Sequence, residues 1–164
     1  MEEYEYSYYV KDINPYIEFC EKNNYKKICE VSQHRKVFEN QYNRDIISRI
    51  TTENDITVID FKNVNNKKNE LNISNESKTL KVDENNEAFI NSMLTTLGFE
   101  LCADNYRIRY VYKKENVKFE IDKYTSPEEY YVVGVEGDRL EVDKVFKELE
   151  DINNEYKINE QLKR

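Results

Sequence analysis

Residues 105–137 of the chain, NYRIRYVYKKENVKFEIDKYTSPEEYYVVGVEG, contain three runs in which two kinds of side chain alternate. In the first run, Arg107 and Arg109 fall on one side of a period-two pattern, and Tyr106, Ile108 and Tyr110 fall on the other. Successive side chains of a β-strand point to opposite faces, so this spacing predicts a strand. We interpret Lys113–Asn116 as a hairpin loop, and the three runs as an antiparallel meander.

The second and third runs of this stretch repeat the alternation. Lys118, Glu120 and Asp122 alternate with Val117, Phe119 and Ile121, and Gly134 and Glu136 alternate with Val133 and Val135. Each strand would therefore carry its charged residues to the same surface of the sheet. That surface is either a solvated outer face or a functional interior, and the alternation alone leaves both interpretations open.

Composition and charge restrict the class of protein. The 164 residues suffice for one domain with a core, but only 38% are hydrophobic and 35% are charged. The 14 tyrosines and 7 phenylalanines must therefore supply much of the core. A net charge of -8 and a pI of about 4.9 argue against a general binder of nucleic acids or of anionic membranes. An anionic ligand would need a local basic pocket.

The cysteines and the hydropathy pattern predict a cytoplasmic location. Cys20, Cys29 and Cys102 are odd in number and lack metal-binding spacing, which indicates reduced thiols in a cytosolic protein. The opening MEEYEY has neither the basic nor the apolar character of an export signal. No window approaches the roughly 18 apolar residues that a membrane span requires.

The first half of the chain reads mainly as strands. Residues 3–10 alternate, with Glu3 and Glu5 on the polar face, and Asn14 followed by Pro15 indicates the start of a helix that ends near residues 23–24. Residues 25–40 form one long strand or two short ones. Residues 45–62 predict a hairpin, from which Arg49 and Lys62 project. The polar segment 63–78 predicts a loop, mobile at least in part, followed by a weak strand near residues 80–82.

The second half of the chain adds helices before and after the meander. Residues 84–100 carry an apolar face at helical spacing, which consists of Phe89, Ile90, Met93, Leu94 and Leu97. A further helix, capped by Asp138 and including Leu140, precedes a terminal helix through residues 156–162. The order of elements predicts an α+β fold, with a mainly antiparallel β-barrel and flanking helices. We expect one domain over residues 1–164, with a C-terminal helical extension from about residue 153.

Taken together, these motifs resemble those of the CYTH superfamily, the triphosphate tunnel fold of class IV adenylate cyclases, thiamine triphosphatases and inorganic triphosphatases. The family opens with E-x-E-x-K and then V-K-D, and this chain has Glu3, Glu5 and Ser7, followed by VKD at residues 10–12. Arg49 matches the family's R-x-R motif, and Lys62 matches its lysine-ended strand. Arg107 and Arg109 match the K-x-R strand, and Asp122 matches the aspartate-ended strand. Glu136 and Gly137 match the end of E-x-E-G. The chain departs from the pattern at Ser7, Thr51 and Gly134, and residues 74–82 hold no clear counterpart of the family's R-x-E strand.

The resemblance implies a tunnel that binds a small molecule with a triphosphate group. Arginine grips phosphate oxygens bidentately and lysine acts as a point charge, and the resemblance assigns phosphate binding to Arg49, Lys62, Arg107 and Arg109. Mg²⁺ or Mn²⁺ takes carboxylate oxygens, and the resemblance assigns metal binding to Glu3, Glu5, Asp122 and Glu136. No catalytic base is assigned, and no nucleic acid or membrane is expected as a partner. Whether the chain forms a homodimer is left open.

Several interpretations of the function remain at this point. Hydrolysis of a nucleoside, thiamine or inorganic triphosphate needs only phosphate binding, a metal ion and water. Ser7, Thr51 and Gly134 remove groups of the family pattern, which is consistent with a weakened enzyme or with a module that binds without turnover. A class IV adenylate cyclase, which makes cyclic AMP from ATP, is a third interpretation. His34, the single histidine, is either a general base or a surface residue.

Overall fold

Most of the chain belongs to one antiparallel sheet that closes on itself. The computed structural model describes residues 2–68, 71–160 and 162. The strands in chain order are β1 (Glu2–Val10), β2 (Lys26–Asn40), β3 (Ile46–Glu53), β4 (Ile56–Lys68), β5 (Leu71–Glu76), β6 (Leu80–Val82), β7 (Phe99–Lys114), β8 (Val117–Ser126) and β9 (Tyr130–Gly137). The helices are α1 (Asn14–Lys22), α2 (Glu87–Thr96), α3 (Arg139–Glu148) and α4 (Glu150–Tyr156).

Eight of these strands form a closed barrel. Their order is β3, β2, β7, β8, β9, β1, β5, β4, and pairing of β3 with β4 closes the ring. Strand β6 pairs with the first part of β4. The predicted α+β fold with a mainly antiparallel barrel is therefore confirmed, as is the meander, in which β7, β8 and β9 pair in sequence.

The hydrophobic core lies outside the barrel, between the sheet and three helices. The outward residues of β8 and β9 include Phe119, Ile121, Val133 and Val135, none of which is exposed to solvent. They pack in one cluster with residues of α1, α3 and β1 such as Tyr16, Cys20, Val142 and Tyr8, and with Leu149 between α3 and α4. Aromatic pairs also stabilise this layer. The ring centroids of Tyr25 and Phe119 lie 5.1 Å apart, and those of Tyr6 and Phe146 lie 4.1 Å apart. Because the apolar side chains face outward, the alternating positions face the barrel interior.

Helix α2 covers a second and smaller part of the barrel wall. Ile90 and Leu94 are buried against Ile59, as the helical spacing predicts. Phe89 and Leu97, which we predicted to share this apolar face, are 70% and 51% exposed. The helix is only ten residues long, and contact with the curved barrel is limited to one narrow stripe. Leu140 lies in α3, as the sequence predicts, and is also exposed.

The predicted loop at residues 63–78 is wrong. Strand β4 continues to Lys68 and β5 runs from Leu71 to Glu76, and the two strands pair with each other. Few side chains in this segment are apolar, and the pairing of β4 with β5 satisfies the backbone hydrogen bonds of its described residues. The weak strand near residues 80–82 is confirmed as β6.

The C-terminal prediction also needs correction. Helix α4 begins at Glu150 and ends at Tyr156, and it does not continue to Leu162. Lys157 instead bridges to Val10, and the Ile158 amide donates to the Tyr9 carbonyl. Residues 157 and 158 therefore lie along the end of β1. In the part of the chain that the structure describes, no helix is both long enough and apolar enough to cross a membrane.

Gly137 closes β9 at a point where the backbone leaves no room for a side chain. Its φ is +151°, and a Cβ atom there would lie 2.1 Å from the Asn116 carbonyl oxygen. We expect Gly137→Ala to lower the free energy of unfolding by about 1–3 kcal/mol, because the hairpin backbone must shift. Urea denaturation measures the loss. The matched control is Gly134→Ala, whose Cβ would meet its nearest atom at 3.6 Å, and equal stability of the two variants would contradict the prediction.

Candidate functional site

The barrel encloses a cavity of about 430 Å³ that is lined mainly by charged and polar side chains. These side chains come from the inward positions of the barrel strands. All eight residues that we predicted to bind phosphate or metal line it: Arg49, Lys62, Arg107, Arg109, Glu3, Glu5, Asp122 and Glu136. The interpretation of these charges as a solvated outer face is therefore wrong.

Asp122 lies between the two arginines of β7. The Nε and Nη2 atoms of Arg109 donate to its two carboxylate oxygens, each at 2.8 Å, and Arg107 Nη1 lies 3.4 Å from Oδ2. Arg109 Nη1 also donates to Glu120. Burial alone would raise the pKa of Asp122, but the charges of Arg109 and Arg107 outweigh it and lower that pKa. Asp122 is thus an ionised partner of both arginines.

A second ion-pair network joins the hairpin of β3 and β4 to β5. Arg49 donates through Nε to Asp60 at 3.0 Å and through Nη2 to Glu76 at 3.0 Å. Lys62 Nζ lies 3.2 Å from the same Glu76 oxygen and 3.3 Å from Glu3. Burial would raise the pKa of Glu76, but Arg49 and Lys62 lower it to about 2. Glu76 therefore ties both predicted phosphate-binding residues of the hairpin to β5.

The lowered pKa of Glu76 makes an acid-dependent contribution to stability. Its ordinary pKa of 4.5 falls to about 2 in the folded chain, so the contribution is present above about pH 4.5 and is lost as pH falls toward about 2. We expect Glu76→Gln to cost on the order of 3 kcal/mol near pH 7 and progressively less below about pH 4. The free energy of unfolding as a function of pH measures this difference. Glu84→Gln, which removes an exposed carboxylate, is the control, and a difference that does not vary with pH would contradict the prediction.

Three carboxylates meet where β1 runs beside β9. Glu3, Glu5 and Glu136 each place an oxygen within 4.8 Å of the others, and Glu5 lies directly opposite Glu136 in the ladder. Burial and the charge of Glu120 raise the pKa of Glu136 to about 10, although Lys118 forms an ion pair with Glu136. Burial also raises the pKa of Glu5. Such crowded oxygen ligands fit Mg²⁺ or Mn²⁺, because a divalent cation would relieve the repulsion that now favours protonation.

Two of the departures from the family pattern lie beside this cluster. Ser7 follows Glu5 on the inward face of β1 and pairs with Gly134 of β9. A Cβ atom at Gly134 would lie 3.8 Å from the Glu5 carboxyl group. The wall next to Glu5 therefore lacks the carboxylate that the family pattern has at position 134. The cluster consists of three glutamates, and Asp122 lies outside it.

Solved structures of low sequence identity share this architecture. PH1012 from Pyrococcus horikoshii OT3 superposes with a TM-score of 0.68 at 20% identity, over 93% of this chain and 88% of that chain. HpAC1 from Hippeastrum, an adenylyl cyclase candidate with a dominant triphosphatase activity, gives 0.67 at 14% identity, over 98% and 92%. The chain has a CYTH-like triphosphate tunnel fold. No family model matches the sequence, and no curated protein matches it.

The triphosphate tunnel fold does not by itself define an activity. A chain of the Schizosaccharomyces pombe Mediator head module superposes on this one with a TM-score of 0.59 at 11% identity, over 96% of this chain and 98% of that chain. At these identities the likeness establishes the fold alone. The function must therefore be argued from the side chains inside the tunnel.

The tunnel contains further polar residues that we did not predict as site residues. They include Gln33, Arg35, Glu53, Asp60, Glu76, Lys118, Glu120 and Tyr124. Lys118 and Glu120 share the alternating face of Asp122, so the period-two pattern could have identified them. Arg35 gave no such signal, because the register of residues 25–40 was uncertain, and Glu76 lies in the segment that we predicted as a loop.

His34 lies on the outer surface of the tunnel wall. Its Nε2 atom is 2.6 Å from Asp104, and its ring stacks on Tyr106 with centroids 4.3 Å apart. Its neighbours on β2, Gln33 and Arg35, face the tunnel. The interpretation of His34 as a general base for a ligand in the tunnel is therefore wrong.

Proposed function

We propose that this protein is a metal-dependent enzyme that hydrolyses a triphosphate compound inside the tunnel. The substrate class comprises nucleoside, thiamine and inorganic triphosphates. The observation that carries the proposal is the presence of a carboxylate cluster and several arginines and lysines in one enclosed cavity. A triphosphate in such a cavity would meet donors for its oxygens and ligands for its counter-cation.

The charge of the lining supports a requirement for metal. Among the described residues that line the tunnel, eight carboxylates face six arginine and lysine side chains, so the formal charge of the lining is -2 when all are ionised. A polyanion would therefore be repelled by the lining as a whole unless divalent cations accompany it. The three-glutamate cluster supplies the ligands for such a cation.

The chain's own residues have distinct roles in the proposed reaction. Glu3, Glu5 and Glu136 would hold the metal, which supplies Lewis-acid polarisation of a phosphoryl oxygen and helps to position water. Arg49, Lys62, Arg107 and Arg109 would orient the phosphates and offset their charge. Asp122, Glu120 and Glu76 hold these cations in place before the ligand arrives. Enclosure by the barrel reduces the access of bulk water and strengthens each electrostatic contact.

Release of phosphate or pyrophosphate tests the proposed hydrolysis. Purified protein is incubated with Mg²⁺ or Mn²⁺ and with tripolyphosphate, thiamine triphosphate or nucleoside triphosphates. We expect turnover of at least one of them that chelation of the metal abolishes. Analysis of the ATP products for cyclic AMP separates hydrolysis from cyclisation. Absence of phosphate and pyrophosphate from every substrate would contradict the proposal.

The second candidate function is capture of a triphosphate compound without turnover. It is favoured by the contacts of Arg49, Lys62 and Arg109, each of which already engages a carboxylate of the tunnel. It is also favoured by Ser7 and Gly134, which remove a cation and a carboxylate of the family pattern. Saturable, metal-dependent binding of a non-hydrolysable triphosphate, without turnover of the parent compound, would support this function. Turnover that Arg109→Ala abolishes in a folded variant would contradict it.

A further inference from the structure

The charged groups that line the tunnel differ between the region of the glutamate cluster and the region around Tyr124. Along β8, Lys118 contacts the glutamate cluster through Glu136, whereas Tyr124 contacts Arg107 and Arg35. These two positions on β8 are six residues apart, or roughly 20 Å of strand. Carboxylates crowd together at the first position and guanidinium groups at the second.

The Tyr124 hydroxyl connects the two arginines. It accepts hydrogen bonds from Arg107 Nη1 at 2.8 Å and from Arg35 Nη1 at 3.5 Å. The residue is only 6% exposed, and its ring stacks on Tyr130 with centroids 4.3 Å apart, which fixes its position. A hydroxyl has one proton to donate. Both of its partners in the described part of the chain are donors, so this proton is available to an acceptor in the tunnel.

Arg35 differs from the other arginines of the tunnel in its surroundings. Arg49 and Arg109 each contact two carboxylates, but within residues 2–68, 71–160 and 162 Arg35 forms no ion pair and has only the Tyr124 hydroxyl as a hydrogen-bond partner. Burial and the neighbouring charge of Arg107 lower the pKa of Arg35 to about 10. An anion beside Arg35 would relieve this repulsion.

Asn105 adds an independent sign of an incomplete polar site. It lies directly opposite Arg35 in the β2–β7 ladder, on the same face of β7 as Arg107. Asn105 is 6% exposed, and its side-chain oxygen has no hydrogen-bond partner among the described residues. A buried amide oxygen without a partner is costly. Rotation of the amide exchanges the oxygen for an N–H group that can donate to an anion.

We propose that Arg35 and Tyr124, which both line the cavity, form an anion subsite beside Asn105 that binds one phosphoryl group without a metal ion. Arg35 supplies charge and a guanidinium donor, and Tyr124 supplies a hydroxyl donor that also positions Arg35 against Arg107. The assignment of the anion as part of a triphosphate rests on the proposed function.

Binding of inorganic phosphate in the presence of EDTA tests the subsite. The probe is small enough to report a single site, and ³¹P NMR line broadening follows its binding to the full chain. We expect saturable binding that weakens about tenfold in Tyr124→Phe, which removes only the hydroxyl, and at least as much in Arg35→Gln. Asn105→Asp should weaken it as well, because the new carboxylate would pair with Arg35. Tyr131→Phe, whose lost hydroxyl donates to Glu129 outside the tunnel, should bind as the unaltered protein does.

Two results would overturn the subsite: no saturable binding by the unaltered protein, or equal binding by the unaltered protein, Tyr124→Phe and Arg35→Gln. Circular dichroism checks the fold of each variant, and Arg35→Gln decides the matter if Tyr124→Phe does not fold. Turnover with metal is measured separately. Its absence would contradict the proposed enzyme and leave phosphate binding in EDTA intact. In an active enzyme, Tyr124→Phe should raise KM more than it lowers kcat.

Discussion

Replacement of Asp122 by alanine is expected to lower the free energy of unfolding by about 3–5 kcal/mol. Asp122 is 3% exposed and accepts hydrogen bonds from both Arg107 and Arg109. Its loss leaves two buried guanidinium groups without their shared carboxylate. Asp122→Asn keeps the shape and removes the charge, so it should be nearly as destabilising. Urea denaturation at neutral pH measures both variants.

A carboxylate on the surface of the barrel provides the matched control for Asp122. Asp104 contacts His34 at 2.6 Å on the outside of the barrel, and its side chain is 45% exposed. Asp104→Ala should therefore cost less than about 1 kcal/mol. The double variant Asp122→Ala/Arg109→Ala should lose less than the sum of the single losses, because both single variants lose the same ion pair and each leaves the opposite partner of that pair behind. A loss below about 1 kcal/mol for Asp122→Ala would contradict the argument.

Replacement of both Glu5 and Glu136 by glutamine is expected to lower metal-dependent turnover by about three decades. The reason is the loss of two of the three carboxylates that would hold the metal, whose Lewis-acid contribution amounts to several kcal/mol. Steady-state release of phosphate at fixed Mg²⁺ or Mn²⁺ measures turnover. Titration with Mn²⁺, followed by electron paramagnetic resonance, measures metal affinity independently.

The stability of Glu5→Gln/Glu136→Gln provides a second test of the carboxylate cluster. The two carboxylates repel each other and Glu3, so their neutral replacements should leave the protein at least as stable in EDTA. A control variant, Glu84→Gln/Glu128→Gln, removes the same number of carboxyl groups from exposed positions. Unchanged turnover in Glu5→Gln/Glu136→Gln, or unchanged affinity for Mn²⁺, would show that the metal is held elsewhere.

The inward face of the barrel was the most predictable part of the site. The side-chain period of a strand is two, so Glu3 and Glu5 could be placed on one face of β1 opposite Tyr6 and Tyr8 without knowledge of the fold. The apolar partners in each run show which face packs against the helices. What the pattern could not decide was whether the other face meets solvent or a cavity, because closure of the barrel depends on the long-range pairing of β3 with β4.

The pairing of charges across strands was less predictable, and the hairpin between β7 and β8 shows why. We expected a four-residue loop at Lys113–Asn116, which would place Arg109 opposite Glu120. The observed loop contains only residues 115–116, because Lys114 pairs with Val117. This shifts the partner strand by two residues and places Arg109 opposite Asp122. A change of two residues preserves the face of each side chain, so the face that lines the tunnel does not depend on the length of this loop, whereas the pairs across the two strands do.

The second half of β4 and all of β5 could not be predicted because their order does not come from a hydrophobic face. Val64 and Leu71 are the buried apolar side chains among those that the structure describes in this segment, and asparagines occupy much of the remaining sequence. Sequence patterns detect strands through the burial of alternate side chains. A strand that is ordered by backbone pairing within a closed ring shows no such pattern. The sequence therefore did not identify Glu76, which contacts Arg49 and Lys62.

The separation of an outer hydrophobic layer from an inner charged layer limits where the chain can change its length. Insertion or deletion of one residue within β8 would turn Phe119 and Ile121 into the tunnel and Glu120 and Asp122 against the helices. Such a change would exchange core and lining along the remainder of the strand at once. Gains and losses of single residues should therefore be tolerated only in connections such as residues 41–45 and 127–129, whereas paired substitutions inside the tunnel could alter ligand chemistry without disturbing the packing outside it.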